Sequence, residues 1–287
     1  MKELLVISGK GGTGKTSILG SLAVLAQNKV LADCDVDAAD LHLLLQPKIQ
    51  ETHAFYGLPK AVIDSQVCTH CGQCQEVCRF SAIRAYRIDP SRCEGCQVCY
   101  HICPVGAISL QDHCCGHWYV STTKYGTLLH AALGIAEENS GKLVAQVRQR
   151  SREIAEAEKA QYVLTDGPPG VGCPVIASLG QVDLALIVTE PTVAGQHDLE
   201  RVLDLAAHFQ VPAAVCINKY DLECTKTEEL ENYCQHKGIQ VVGKIPFSAE
   251  VNAAVVQGKP IVEYSRGSAA LAIEGLWKKV KLLLGSD

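Results

Sequence analysis

The chain has 287 residues and a mass of 30.8 kDa, with 47% hydrophobic and 20% charged residues, so it can bury a sizeable core and is not a disordered chain. A net charge of −5 and a pI of 6.1 argue against the broad cationic face that general nucleic-acid binding needs. No apolar run reaches the ~18 residues of a bilayer span, and Met1-Lys2-Glu3-Leu4 leads straight into a strand-like run, so a cytoplasmic protein without a signal peptide is expected.

The first predicted element is an apolar strand, Leu4-Leu5-Val6-Ile7-Ser8. It runs into Gly9-Lys10-Gly11-Gly12-Thr13-Gly14-Lys15-Thr16-Ser17, and a helix follows from about Thr16 to Gln27. This is GxxxxGK[ST] in its required strand–loop–helix context, a P-loop. Its glycines let backbone amides close around phosphates, and the helix start favours their charge. Lys15 is expected to reach the β/γ-phosphates of ATP, and the Thr16 hydroxyl to sit on Mg2+. A second strand, Val30–Asp33, ends in Asp33-Cys34-Asp35-Val36-Asp37. These acids, with Asp40, read either as part of the nucleotide site or as a solvated turn or helix cap. Cys34 reads as filler or as a redox-exposed thiol.

Cysteine is the outlier of the composition, at fifteen residues, and eight of them lie between Cys68 and Cys103. The first run is Cys68-x2-Cys71-x2-Cys74-x3-Cys78, and the second is Cys93-x2-Cys96-x2-Cys99-x3-Cys103-Pro104. The repeat continues past the cysteines, Ala82-Ile83 matching Ala107-Ile108. In a cytosolic chain such density means metal or redox chemistry. The spacing resembles that of bacterial two-cluster ferredoxins, in which three thiolates wrap one cubane and the fourth reaches the other. One [4Fe-4S] cluster would then take Cys68, Cys71, Cys74 and Cys103, and the other Cys93, Cys96, Cys99 and Cys78. A zinc site built from CxxC pairs is the alternative, but zinc needs only four ligands. Arg79 stands where the first run would usually carry proline, and a cation there would raise the potential of the nearby cluster.

Downstream, Cys114-Cys115-Gly116-His117 would supply a further metal ligand or a redox thiol. Tyr162–Gly170 is a buried strand ending in Asp166-Gly167-Pro168-Pro169-Gly170. Asp183–Thr189 and Ala213–Asn218 read as two more buried parallel strands, and Val241–Phe247 closes the sheet. The ten histidines form no metal-binding spacing. The helical run Leu271–Leu284 ends in Lys278, Lys279 and Lys281; it reads as a core-covering helix rather than a membrane contact.

Lys10, the extra lysine of KGGTGKT, carries a wider resemblance. The chain is similar to the MinD/ParA group of deviant Walker A ATPases, which includes the nitrogenase iron protein and Mrp-type iron–sulfur carriers. The resemblance covers residues 1–58 and most of 113–287, interrupted by a ferredoxin-like stretch at 59–112. It implies an α/β fold with a doubly wound, mostly parallel sheet and an inserted small α+β ferredoxin-like domain. It also implies an ATP-sandwich homodimer in which Lys10 reaches the nucleotide of the other protomer. Asp35 would orient the attacking water, and Asp33 and Asp166 would hold Mg2+ directly or through water. The Gly170 amide would meet the γ-phosphate, and Asn218 would contact adenine unless it is a strand-end turn residue. Pro246 and Phe247 would flank the base or pack in the core. Cys173, seven residues after Asp166, matches in offset the switch cysteine that holds a shared cluster in the nitrogenase iron protein; otherwise it is a small buried cysteine. The function implied is an ATPase coupled to electron transfer or to iron–sulfur assembly, with a redox or apo-protein partner. A cluster carrier and a positioning ATPase with a redox-sensing insert are the alternatives.

Overall fold

The computed structural model describes residues 1–134 and 140–285, which fall into two compact units. The larger comprises 1–52, 119–131 and the chain from 140 onward; the smaller comprises 53–118 and the described part of 132–139.

The larger unit opens with β1 (Lys2–Ser8), α1 (Lys15–Leu25), β2 (Lys29–Asp33) and α2 (Leu41–Leu45). β3 (Lys48–Tyr56) leads into the smaller unit, which holds β4 (Lys60–Ile63), α3 (Gln73–Val77), β5 (Ile83–Arg84), β6 (Arg87–Ile88), α4 (Val98–Ile102) and β7 (Ile108–Gln111). β8 (Cys114–Thr123) leads back, and β9 (Gly126–Leu133) and α5 (Ser140–Ala157) follow. Then come β10 (Tyr162–Pro169), α6 (Cys173–Leu179), β11 (Leu184–Thr189), α7 (Val193–His208), β12 (Ala213–Asn218), α8 (Cys224–His236), β13 (Gln240–Ile245), α9 (Ala249–Val256), α10 (Ile261–Tyr264) and α11 (Ser268–Leu283).

Among the described residues, nine strands form one sheet in the order β13-β12-β11-β1-β10-β2-β9-β8-β3, and from β13 through to β9 every pairing is parallel. Strand residues alternate between faces, so β1 feeds two cores. Leu4 and Val6 pack with residues of α1, α10 and α11, whereas Leu5 and Ile7 pack with α6, α7 and α8. Covered on both sides, these strands read as continuous apolar runs. The result is the doubly wound α/β arrangement, with ligand chemistry expected at the carboxyl ends of β1, β10 and β2.

The C-terminal helix α11 turns its apolar face to the core: Trp277 is 5% exposed and meets the Tyr162 ring edge-on at 5.4 Å. Among the described residues, no helix is long and apolar enough to cross a membrane. Val241–Phe247 ends as a strand at Ile245, because Pro246 has no N–H to continue the ladder.

One buried ion cluster ties the sheet to α5. Arg148 donates to Glu3 Oε1 at 2.7 and 3.0 Å, Arg152 donates to Oε2 at 2.7 Å, and Arg148 also caps the carbonyls of Ala177 and Gly180. Glu3 is 3% exposed and Arg148 5%. Glu3→Ala leaves a guanidinium buried without its carboxylate and is expected to cost about 3–5 kcal/mol. Urea unfolding of the two proteins measures it; a cost below about 1 kcal/mol would show that water repairs the site.

In the smaller unit the sequence repeat becomes a structural repeat. α3 and α4 are five residues each and follow left-handed residues, Gly72 (φ 83°) and Gln97 (φ 64°). β4 and β7 pair antiparallel with Ile63 opposite Ile108, and β5 and β6 pair with Ile83 opposite Ile88. Both copies of the repeated Ala-Ile pair are buried.

Candidate functional site

The parallel strands deliver their C-terminal residues to one edge of the larger unit. β1 ends at Ser8, and the loop from Gly9 turns into α1 at Lys15. Gly12 and Gly14 adopt φ 80° and 91°, which only glycine takes cheaply. Gly14 is also a contact: a Cβ there would lie 2.5 Å from Nδ2 of Asn218. Asn218 Nδ2 donates to the Thr13 carbonyl at 2.8 Å, and its Oδ1 accepts from the Lys219 N–H at 3.0 Å. The end of β12 therefore holds the P-loop in place.

Lys15 is 5% exposed, with Nζ 3.8 Å from Asp35 Oδ2. Asp33 accepts from the backbone N–H groups of Asp35 (3.1 Å) and Leu41 (3.2 Å), which fixes the turn after β2. Asp166 stands opposite Asp33 in the sheet register, and neither of its buried oxygens has a hydrogen-bond partner. Burial pushes the Asp166 carboxyl up to about 7, against Lys15 and Thr16, which favour its charged form. Burial, then the nearby Asp166, holds Asp33 well above the usual carboxylate range. Asp35 is raised by burial, with Lys15 opposing. Two facing acids, one carrying two orphaned oxygens beside a threonine hydroxyl, are the donor set a hard cation such as Mg2+ takes.

That orphaned carboxylate has a pH signature. A folded pKa above the unfolded value contributes stability below about pH 4 that is lost as pH rises toward 7. Without nucleotide and cation, Asp166→Asn is expected to be more stable than the parent at pH 8, by up to about 4 kcal/mol, and equal to it near pH 4. Thermal unfolding at the two pH values tests this; a variant no more stable at pH 8 would contradict it.

Gly170 (φ 90°) donates its N–H to the Ser8 carbonyl at 2.9 Å, so that amide is engaged within the chain rather than offered to a phosphate. Lys10 Nζ lies 3.3 Å from one oxygen of Glu190, whose other oxygen accepts from Lys219 Nζ at 2.5 Å. These two lysines hold the Glu190 carboxyl below its ordinary value although burial opposes them. Glu190, just after β11, belongs to none of the motifs in the sequence; its one signal is an acid at the carboxyl end of a central strand.

The smaller unit gathers the eight cysteines. Cys74 lies near Cys68 and Cys71, and Cys99 near Cys93, Cys96 and Cys74; burial pushes both Cys74 and Cys99 up. Cys74, Cys78, Cys93, Cys99 and Cys103 share an apolar cluster with Ala61, Ile83 and Ile108. Cys68, Cys71, Cys74 and Cys103 line a single cavity, closed by Ile63, Tyr86 and Ile108. The Ala107 N–H donates to Cys103 Sγ at 3.3 Å. Among the described residues, no group of three or more His, Cys, Asp or Glu side chains is arranged to hold a metal ion.

A model of the CobQ/CobB/MinD/ParA nucleotide binding domain matches residues 4–261. The chain belongs to this family. An uncharacterized protein of Methanocaldococcus jannaschii is 32% identical over 283 residues, 97% of this chain and 96% of that one. An iron-sulfur cluster carrier protein of Pyrococcus abyssi is 28% identical over 142 residues, 44% of this chain and 48% of that one. Among solved structures, the septum site-determining protein MinD of Pyrococcus horikoshii, complexed with Mg-ADP, superposes with a TM-score of 0.62 at 16% identity, covering 99% of this chain and 97% of that one.

Within this MinD/ParA frame several cysteine expectations change. Cys173 is exposed, at the first turn of α6, so it is not a small buried residue behind the P-loop. Cys34 is fully buried and its thiol is pushed well up by burial, so it is not open to redox signals. The adjacent pair splits: Cys114 is exposed and Cys115 buried, with Cys115 Sγ directed at the His113 carbonyl. Alternation along β8 produces this split.

Proposed function

We propose that this chain is an ATP-hydrolysing iron–sulfur protein that couples its nucleotide state to electron transfer or metallocofactor assembly. The observation that carries the reading is the cavity walled by Cys68, Cys71, Cys74 and Cys103, in the same chain as a P-loop lysine and three acids. A cubane takes one thiolate at each iron corner, and the spacing of these four cysteines is that of a two-cluster ferredoxin. The repeated motif supplies the second set, Cys93, Cys96, Cys99 and Cys78. When bound, the two clusters would carry single electrons, and the Ala107 N–H on Cys103 is a bond of the type that tunes cluster potential.

In the larger unit, Lys15 and the P-loop amides would hold the β/γ-phosphates, and Asp35 would orient the attacking water. Bound Mg2+ would neutralise phosphate charge, held by Thr16, Asp33 and Asp166 directly or through water. The Gly170 N–H would leave the Ser8 carbonyl to meet the γ-phosphate, which makes that loop the nucleotide sensor. In an ATP-sandwich homodimer, Lys10 of the partner subunit would complete each site.

Lys10 is held at home by Glu190 in the single protomer. Glu190→Gln removes this hold and is expected to lower the ATP concentration for half-maximal dimerisation about three- to tenfold, the worth of a part-buried pair near 1 kcal/mol. Light scattering against ATP concentration reads it; unchanged or weaker dimerisation would mean that Glu190 is not a latch.

The carrier reading draws on the partial similarity to an iron-sulfur cluster carrier protein. One anaerobic experiment separates it from electron gating: the iron-loaded protein is mixed with an apo-acceptor and MgATP. Iron kept on the chain while a redox partner is reduced supports gating; iron passing to the acceptor supports the carrier.

A further inference from the structure

We infer that the nucleotide site of the larger unit reads the base through Asp221 and accepts guanine nucleotides as well as adenine ones. Asn218 closes β12 at the carboxyl edge, where an open parallel sheet binds its ligands. Its carboxamide is already engaged at both ends, by the Thr13 carbonyl and the Lys219 N–H, and it packs on Gly14. Asn218 therefore holds the P-loop, and reading the base falls to the chain just beyond it. Lys219 takes φ 54°, a left-handed conformation that a non-glycine residue adopts only at a cost, and turns the chain into a single 3-10 turn, Tyr220–Leu222. Two side-chain bonds fix that turn. Thr227 Oγ1 donates to the Tyr220 carbonyl at 2.7 Å, and Asp221 Oδ1 accepts from the Phe247 N–H, also at 2.7 Å.

Asp221 is thus exposed yet held, where the segments after β12 and β13 meet. Holding the Phe247 N–H needs one acceptor oxygen, which an asparagine would supply as well. What the carboxylate adds is a second oxygen and a charge, and Oδ2 has no hydrogen-bond or ion-pair partner among the described residues. A carboxylate accepts hydrogens and gives none. The edge of guanine presents two donors side by side, N1–H and the 2-amino group, and a carboxylate can take both. Adenine has a bare N1 at that position, so the same carboxylate gains less from it. Xanthine carries a carbonyl in place of the 2-amino group and meets the carboxylate oxygen to oxygen. The Phe247 ring is 48% exposed, an aromatic face on which either purine can stack. The inference rests on the nucleotide reading of the larger unit proposed above and is independent of the iron–sulfur clusters.

The test is calorimetric titration of the full-length protein, prepared anaerobically, with the magnesium diphosphates of guanosine, adenosine, inosine and xanthosine. MgGDP is expected to bind at least as tightly as MgADP. The inosine nucleotide, which lacks the 2-amino group, is expected to bind about tenfold more weakly than MgGDP, the worth of one charge-assisted hydrogen bond, and the xanthosine nucleotide more weakly still. Asp221→Asn keeps an acceptor for the Phe247 N–H and offers a donor to the xanthine carbonyl. It is expected to weaken MgGDP about tenfold and to tighten the xanthosine nucleotide by a similar factor, so that their ratio of affinities shifts about a hundredfold. Thermal unfolding without nucleotide is the control for folding, and the parent series stands as the test if the variant fails it. A residue that only holds the turn would weaken all four nucleotides alike in the variant, and that result would overturn the inference. MgADP binding with MgGDP more than about tenfold weaker in the parent would overturn it too, while leaving the adenine-nucleotide reading intact. Failure of all four to bind would overturn the nucleotide reading and this inference with it.

Discussion

Lys15→Gln is expected to lose ATP hydrolysis by about 10²–10³-fold while keeping its iron. The lysine is buried where β1 meets α1, its ammonium 3.8 Å from Asp35 and facing an edge that also holds Asp33 and Asp166. Three acids crowd this small region, so the lysine and the loop amides are what make the edge receptive to phosphate. A preorganised cation aimed at the transferred phosphoryl group is worth about 3–4 kcal/mol in the transition state. Glutamine keeps most of the stem and its packing but removes the charge. Phosphate release is the readout, and iron per chain is the control for folding. A loss of under tenfold would mean that these acids and this loop do not form a catalytic site. A parallel loss of iron would mean that the substitution unfolds the chain.

The second large effect concerns Cys103 and Cys78. Cys103 lines the cavity of the first triad, 29 to 35 positions after its three cysteines, and the repeat assigns Cys78 to the second set in the same way. Cys103→Ala is therefore expected to empty the Cys68, Cys71, Cys74 site and to halve the iron, leaving the other cluster's signal intact. Cys78→Ala is expected to do the reverse. Each cluster's ligands would then come from both halves of the repeat, so neither half could hold its cluster alone. If Cys103→Ala instead removes the cluster of Cys93, Cys96 and Cys99, the crossed assignment is wrong. Paramagnetic spectra of the two reduced variants distinguish these outcomes.

Much of the larger unit is legible from residues alone. Leu4–Ser8, Tyr162–Pro169 and Ala213–Asn218 are covered on both faces, so each is an apolar run whose last polar residue marks the carboxyl edge. Lys15, Asp33, Asp35, Asp166 and Asn218 reach one edge because parallel strands bring all their ends to the same side. β3 was not legible: seven of its nine residues are exposed, so burial imposes no pattern on it. β8 and β9 mix cysteines, histidine and hydroxyl residues, so no apolar run marks them, and the buried Ser121–His130 hydrogen bond at 2.9 Å satisfies their polar groups. The role of Glu190 depends on two lysines from distant segments, which no local motif marks. The engagement of Gly170 with Ser8 is a backbone bond, and no side-chain pattern announces it. The exposure of Cys173 and burial of Cys115 follow from helix and strand phase, which a lone cysteine does not reveal.

Metal analysis of anaerobically purified protein tests the central claim most directly. Two [4Fe-4S] clusters in a MinD/ParA-family chain require about eight irons per polypeptide and no zinc. Zinc in place of iron, or an iron content that stays well below eight after anaerobic reconstitution with iron and sulfide, would contradict it.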